Sequence, residues 1–254
     1  MTSFVDILKF SVLNFSNLAW SAHTPPAKPW TALSAGLFAA AVACAGLPLP
    51  TGAQTASAAP PKPATTATTV LIVGDSLSAE YGLKRGTGWV PLLDKALGSA
   101  KKGSTSVKVV NASISGDTTS GGRSRLSGLL KKHQPAVVVI ELGGNDALRG
   151  LPLEMTERNL LAMVQNSKKV GAKVLVLGMQ VPPNYGAAYG ATFSSLFTKV
   201  AKAEKVALVP FFLKGIADAE DSTAQFQADR IHPNEQAQAK MLANVQPELM
   251  KLLP

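Results

Sequence analysis

Five short apolar runs, each rich in β-branched residues, alternate along this chain with stretches of helical spacing, and that alternation narrows the choice of fold more than any other feature. The runs occupy residues 69–73, 107–111, 136–141, 173–178 and 206–210. Between and after them, at 88–99, 122–133, 156–170, 187–203 and 234–252, apolar residues recur every three or four positions. A strand that is apolar at consecutive positions needs cover on both faces, and helical crossovers supply it when the strands run parallel. The pattern predicts an α/β protein, a three-layer αβα sandwich around a five-stranded parallel sheet. In such open sheets ligands bind beyond the carboxyl ends of the strands. Ser76, the Ser115-Gly116 pair and Asn145 each fall just past one such end. With 254 residues, 46% of them hydrophobic, the chain has ample material for one packed domain.

The first 58 residues read as a leader with a signal peptide rather than as part of that domain. Residues 30–50, WTALSAGLFAAAVACAGLPLP, carry no charge, follow Lys28 and precede the small-x-small sequence Ala56-Ser57-Ala58. These are the parts of a secretory signal, with cleavage expected after Ala58 and a periplasmic or secreted product. Two other readings stay open: an uncleaved anchor, since about 20 apolar residues span a bilayer, and a membrane-tethered lipoprotein through Cys44 after Ala41-Val42-Ala43. Residues 59–68, APPKPATTAT, form a Pro/Ala/Thr tether too poor in large apolar groups to pack. The folded domain is then 69–254. Cys44 is the only cysteine, so no intramolecular disulfide forms, and a thiolate nucleophile within the domain is not expected.

The formal net charge of +9 favours weak association with anionic surfaces such as a membrane. Nucleic acid is not the expected partner. The basic residues come as pairs, Lys101-Lys102, Lys131-Lys132 and Lys168-Lys169, near the ends of predicted helices, where cations complement the helix dipole.

The chemistry gathers at three places. Gly74-Asp75-Ser76-Leu77-Ser78 follows the first strand directly and presents Ser76 on a tight turn, expected at a helix N-terminus. It differs from a G-x-S-x-G elbow because Ser78 replaces the last glycine. A serine hydroxyl needs a base, and there are three histidines. His23 lies in the leader and His133 beside Lys131 and Lys132, which leaves His232. Asp229, three residues before it, is within reach of the imidazole Nδ1, and Pro233 is expected to open the last helix. Acyl transfer also needs donors for the developing oxyanion: the Asn145 side chain and the backbone N–H groups of Gly116 and Ser76 are the candidates. Each segment also has a plainer reading: a capped strand-to-helix turn at Ser76, a glycine turn at residues 143–146, and a capping Asp beside a surface His at 229–232. A phosphate-binding G-x-x-x-x-G-K-[ST] loop is absent, as is G-x-G-x-x-G after the first strand, and one His-Asp pair is thin for zinc. Neither metal nor cofactor is expected.

Together, GDSLS at Ser76, ISGDTTSGG at Gly116, GGND at Asn145 and DRIHPN at His232 resemble the four blocks of the SGNH (GDSL) hydrolase superfamily. The resemblance implies a flavodoxin-like five-stranded parallel sheet. It also implies a Ser-His-Asp triad of Ser76, His232 and Asp229, with an oxyanion hole formed by the N–H groups of Ser76 and Gly116 and the Asn145 side chain. GDSLSAEYG, ELGGNDALRG and VPPNYG are similar to the bacterial thioesterase I, lysophospholipase and arylesterase branch, whose members are secreted or periplasmic. Arg230 and Ala228 depart from the usual surroundings of the histidine block. The function implied is hydrolysis of small-molecule or lipid acyl esters and thioesters through an acyl-enzyme. The loop 181–189 reads either as cover for an acyl chain, with Tyr185 as a wall, or as a proline-fixed connection between strand and helix. A carbohydrate O-acetyl esterase on the same fold and a non-enzymatic envelope-binding module are the rival readings.

Overall fold

The runs that are apolar without interruption become the inner strands. In a computed structural model, which describes residues 67–99, 106–221 and 223–254, β1 (Thr68–Gly74) and β3 (Val137–Glu141) lie side by side, with Val70 opposite Val137 and Gly74 opposite Glu141. Every residue of β3 is buried, and every residue of β1 except Thr69. β2 (Val107–Asn111) pairs with the other edge of β1, β4 (Lys173–Leu177) with β3, and β5 (Ala207–Val209) with β4, all in parallel. The order β2-β1-β3-β4-β5 is that of the flavodoxin-like sheet. No residue of the edge strand β2 is fully buried, and it exposes Lys108, a charge that discourages pairing with another chain.

Helices complete the expected sandwich. α1 (Trp89–Ser99) packs beside α6 (Gln238–Met250), while α2 (Thr119–His133), α4 (Leu153–Lys169) and α5 (Ala187–Glu204) pack in succession. The local signals in α2 are legible. The Thr118 side chain accepts the Gly121 N–H at 3.3 Å to start it, Lys131, Lys132 and His133 fill its last turn, and Gln134 leaves it in the left-handed region. Its buried face is Thr119, Gly122, Leu126 and Leu130. A Cβ on Gly122 would stand 2.2 Å from Leu142 Cδ1, so the missing side chain lets the helix close on the chain that leaves β3. Elsewhere the core is aromatic: Trp89 meets Phe212 edge-on at 5.5 Å and Phe193 meets Phe197 at 5.3 Å. Such pairs add about 1 kcal/mol each beyond the area they bury.

Three local expectations change. Residues 143–146, read as a turn, instead open a short helix, α3 (Gly144–Leu148), because Gly143 at φ 125 turns the chain sharply out of β3. α2 begins at Thr119 rather than at 122, since the Thr118 cap and packing of Gly122 outweigh the poor helix propensity of the glycines. Pro233 does not open the last helix. Asn234 caps a 3-10 turn, Glu235–Ala237, that runs into α6, and Pro233 forms a bridge with Phe226. The leader, the cleavage site at Ala58, Cys44, all but the end of the tether and Lys101-Lys102 lie outside the described residues.

Candidate active site

β1 delivers the serine. After Gly74 the chain makes one helical turn, with the Asp75 carbonyl accepting the N–H groups of Ser78 at 3.3 Å and Ala79 at 3.0 Å. The turn is not the start of an α-helix, as the sequence had suggested, because α1 begins only at Trp89. A side chain at Gly74 would put its Cβ 2.7 Å from Glu141 Oε2 and 2.8 Å from Ser78 Oγ, so close packing requires glycine there.

The histidine arrives on a loop closed by its own hydrogen bonds. Phe226 and Pro233 form an antiparallel bridge, the Gln227 N–H donates to the His232 carbonyl at 2.8 Å, and the Arg230 N–H donates to the Gln227 carbonyl at 2.9 Å. Arg230 takes a left-handed conformation, φ 57, to let the loop turn. Within it, Asp229 Oδ1 accepts the N–H groups of Ile231 and His232 at 2.9 and 3.0 Å, while Oδ2 faces His232 Nδ1 at 2.6 Å. His232 Nε2 lies 2.9 Å from Ser76 Oγ. The three side chains thus form one hydrogen-bonded row. Partial desolvation pushes the Asp229 carboxyl up, but the His232 and Ile231 N–H groups and then the imidazole outweigh it and hold the pKa at about 2. An ionised Asp229 against Nδ1 favours the tautomer with its proton there, which leaves the Nε2 lone pair toward the serine. The Tyr81 ring covers the imidazole, centroid to centroid 4.4 Å.

The remaining donors lie on two further crossovers. Asn145 sits in the first turn of α3, where its Nδ2 donates to Asp75 Oδ2 at 3.1 Å, beside the serine. Gly116 lies beyond β2 at φ 79, a left-handed conformation that suits glycine, and the Arg149 guanidinium donates to its carbonyl at 2.8 Å. The same segment is tied to the serine turn by the Ile114 N–H, which donates to the Gly74 carbonyl at 3.0 Å. Arg125 reinforces this tie. It donates to the Gly74 carbonyl at 3.4 Å and to the Ala112 carbonyl, and pairs with Asp117 at 2.8 Å.

Behind α3, Asp146 is fully buried and accepts from the Thr119 N–H at 2.8 Å, from the Thr119 hydroxyl and from the Thr156 hydroxyl at 3.2 Å. Asn159 and Arg123 extend the chain of bonds. This network fastens the helix bearing Asn145 to α2 and α4. Sequence reasoning singled out neither Asp146 nor the buried acids Asp75 and Glu141. Glu141 ends an apolar run and reads as the end of a strand, while Asp75 follows Gly74 and Asp146 follows Gly143-Gly144-Asn145, so both read as turn residues. Burial raises the Asp75 carboxyl to about 6 despite hydrogen bonds from Leu77 and Asn145. Among the described residues no group of three or more His, Cys, Asp or Glu is gathered as a metal would require.

The profile of the GDSL-like lipase/acylhydrolase family matches residues 72–240, two-thirds of the chain, from β1 into α6. The chain belongs to this family. Esterase TesA of Pseudomonas aeruginosa is 52% identical over 74% of this chain and 90% of its own length. Thioesterase 1/protease 1/lysophospholipase L1 of Escherichia coli K12 is 43% identical over 69% and 80% of the two chains. Among solved structures, the esterase EstA from Pseudoalteromonas, inhibited by monoethylphosphonate, superposes with a TM-score of 0.67 at 38% identity, covering 72% of this chain and 97% of that one. The four segments assembled in this GDSL-like fold are the four sequence blocks that suggested the family.

Proposed function

We propose that the protein is a serine hydrolase that cleaves acyl esters and thioesters through an acyl-enzyme. The observation that carries this reading is the row Ser76 Oγ, His232 Nε2 and Nδ1, Asp229 Oδ2, with contacts of 2.9 and 2.6 Å. Ser76 Oγ attacks the substrate carbonyl carbon while His232 Nε2 takes its proton. The oxyanion is met by the Asn145 amide and the N–H groups of Gly116 and Ser76. Collapse breaks the bond to the alcohol or thiol, which leaves with the proton from Nε2. Water then repeats the sequence on the acyl-enzyme and releases the acid. Esterase and thioesterase relatives support this substrate class.

A wall for the acyl chain is offered by residues 181–189. Pro183–Tyr185 form a 3-10 turn, the rings of Tyr185 and Tyr189 stack at 6.1 Å, and a hollow of about 280 Å³ lies along Val181, Pro182, Pro183 and Gly190. The thioesterase and lysophospholipase relative favours that reading over a carbohydrate O-acetyl esterase. Secretion after cleavage at Ala58 and weak association with an anionic membrane surface complete the proposal. The second is supported by exposed Tyr81 and Ile231 around His232, alongside the exposed cations Arg149 and Arg230.

The test is hydrolysis of p-nitrophenyl esters from acetyl to palmitoyl, with Ser76→Ala as control. Serine-dependent turnover that peaks at medium or long chains is expected. Turnover confined to acetyl would shift the reading to an acetyl esterase, and hydrolysis undiminished in Ser76→Ala would overturn it.

A further inference from the structure

Glu141 ends β3 as the sole ionisable side chain of a strand otherwise made of Val and Ile. Its side chain is fully buried. One carboxyl oxygen, Oε2, receives the Ser78 hydroxyl at 2.7 Å and the Asp75 N–H at 3.2 Å, so it grips the chain on both sides of Ser76. The Trp89 indole N–H, itself shut off from solvent, donates to Ser78 Oγ at 3.2 Å and keeps that hydroxyl aimed at the acid. Asp75 then holds the other components: Oδ1 takes the Leu77 N–H at 3.0 Å and Oδ2 the Asn145 amide at 3.1 Å. The glycine at 74 leaves the space this arrangement needs. Packing alone would be served by another Val or Ile, since a buried carboxyl is costly unless its polar atoms are engaged.

We propose that Glu141 is a positioning residue for the hydrolysis, fixing the turn from Asp75 to Ser78 and, through it, both the Ser76 hydroxyl and the Asn145 amide. The inference rests on the reading of Ser76 as nucleophile. Glu141 does this as a neutral acid. Burial, and after it the Asp75 charge, push its carboxyl well above the usual carboxylate range. Both donors go to Oε2, while the buried Oε1 has no hydrogen-bond partner. A carboxylate would leave a charged oxygen buried without a donor.

The test compares wild type, Ser76→Ala, Glu141→Ala and Glu141→Gln on p-nitrophenyl butyrate, with thermal unfolding of each. Glu141→Ala is expected to lower kcat about 10- to 100-fold, the scale of a small misplacement of reacting groups, with KM within about twofold. Glu141→Gln, whose amide oxygen can accept the same two donors, is expected to recover most of the rate. A folded Glu141→Ala with wild-type kcat would overturn the proposal, as would a folded Glu141→Gln as slow as the alanine variant. Where Glu141→Ala does not fold, the glutamine variant decides alone: its rate kept supports the role, its rate lost in a folded protein removes it. Full activity in Ser76→Ala defeats the nucleophile reading instead, so the two failures are told apart.

Discussion

Asn145 Nδ2 donates to Asp75 Oδ2 at 3.1 Å, joining the helix after β3 to the turn after β1. The amide nitrogen has a second hydrogen, and the proposed mechanism points it at the oxyanion. Asn145→Ala is therefore expected to lower kcat about 10²- to 10³-fold, near 3 kcal/mol, with little change in KM. Steady-state kinetics on a p-nitrophenyl ester checks this, and a rise in KM at constant kcat would remove Asn145 from the oxyanion site.

Asp229→Asn is expected to cost about 10³- to 10⁴-fold in kcat, since an amide no longer enforces the imidazole tautomer. The stability effect has a definite sign. The carboxyl sits at about 2 in the folded protein against 3.8 for an unperturbed Asp, so the unfolded chain binds the proton more readily. Its stabilisation is complete above the unfolded value and is lost as pH falls toward the folded one. The gap in thermal midpoint between wild type and Asp229→Asn should narrow on acidification from about pH 5 to about pH 2.

Asp75 has the opposite sign. Burial lifts its carboxyl from 3.8 to about 6, so the folded state holds the proton more tightly than the unfolded chain. Its favourable contribution is full below the unfolded value and disappears as pH rises through the folded one. Relative to Asp75→Asn, wild type should lose thermal stability between about pH 4 and about pH 6 and then level off. A difference that stays flat across that window would contradict the raised pKa.

Asp146→Ala leaves the Thr119 N–H and the Thr119 and Thr156 hydroxyls without their acceptor inside the fold. Each orphaned buried donor costs on the order of 1–3 kcal/mol, so a loss of about 3 kcal/mol or more is expected by urea unfolding. A midpoint within error of wild type would show that water reaches the network.

The sheet was legible because consecutive apolar residues leave a strand few places to go, and all five strands lie where the runs predicted. Ser76, Gly116, Asn145, Asp229 and His232 stood out for a related reason: a chain with three histidines offers little choice of base, and unusual glycine-rich turns follow two of the strands. What lay hidden depends on contacts between distant segments. The partners of Glu141 are 63 and 66 residues away, and Arg125 reaches a carbonyl 51 residues earlier. α3 was missed because its five residues carry too little periodicity to show, and it is held by the buried Asp146 rather than by propensity.

The loop from Phe226 to Pro233 is closed by its own backbone bonds, and inside it Asp229 is bound to His232 through two contacts and to Ile231 through a third. His232 and Asp229 therefore travel as one body. Thermal motion of the loop against the sheet leaves their mutual geometry intact and acts chiefly on a single variable, the gap between His232 Nε2 and Ser76 Oγ. Fluctuations of that one coordinate would divide the resting molecules into those poised to react and those that are not.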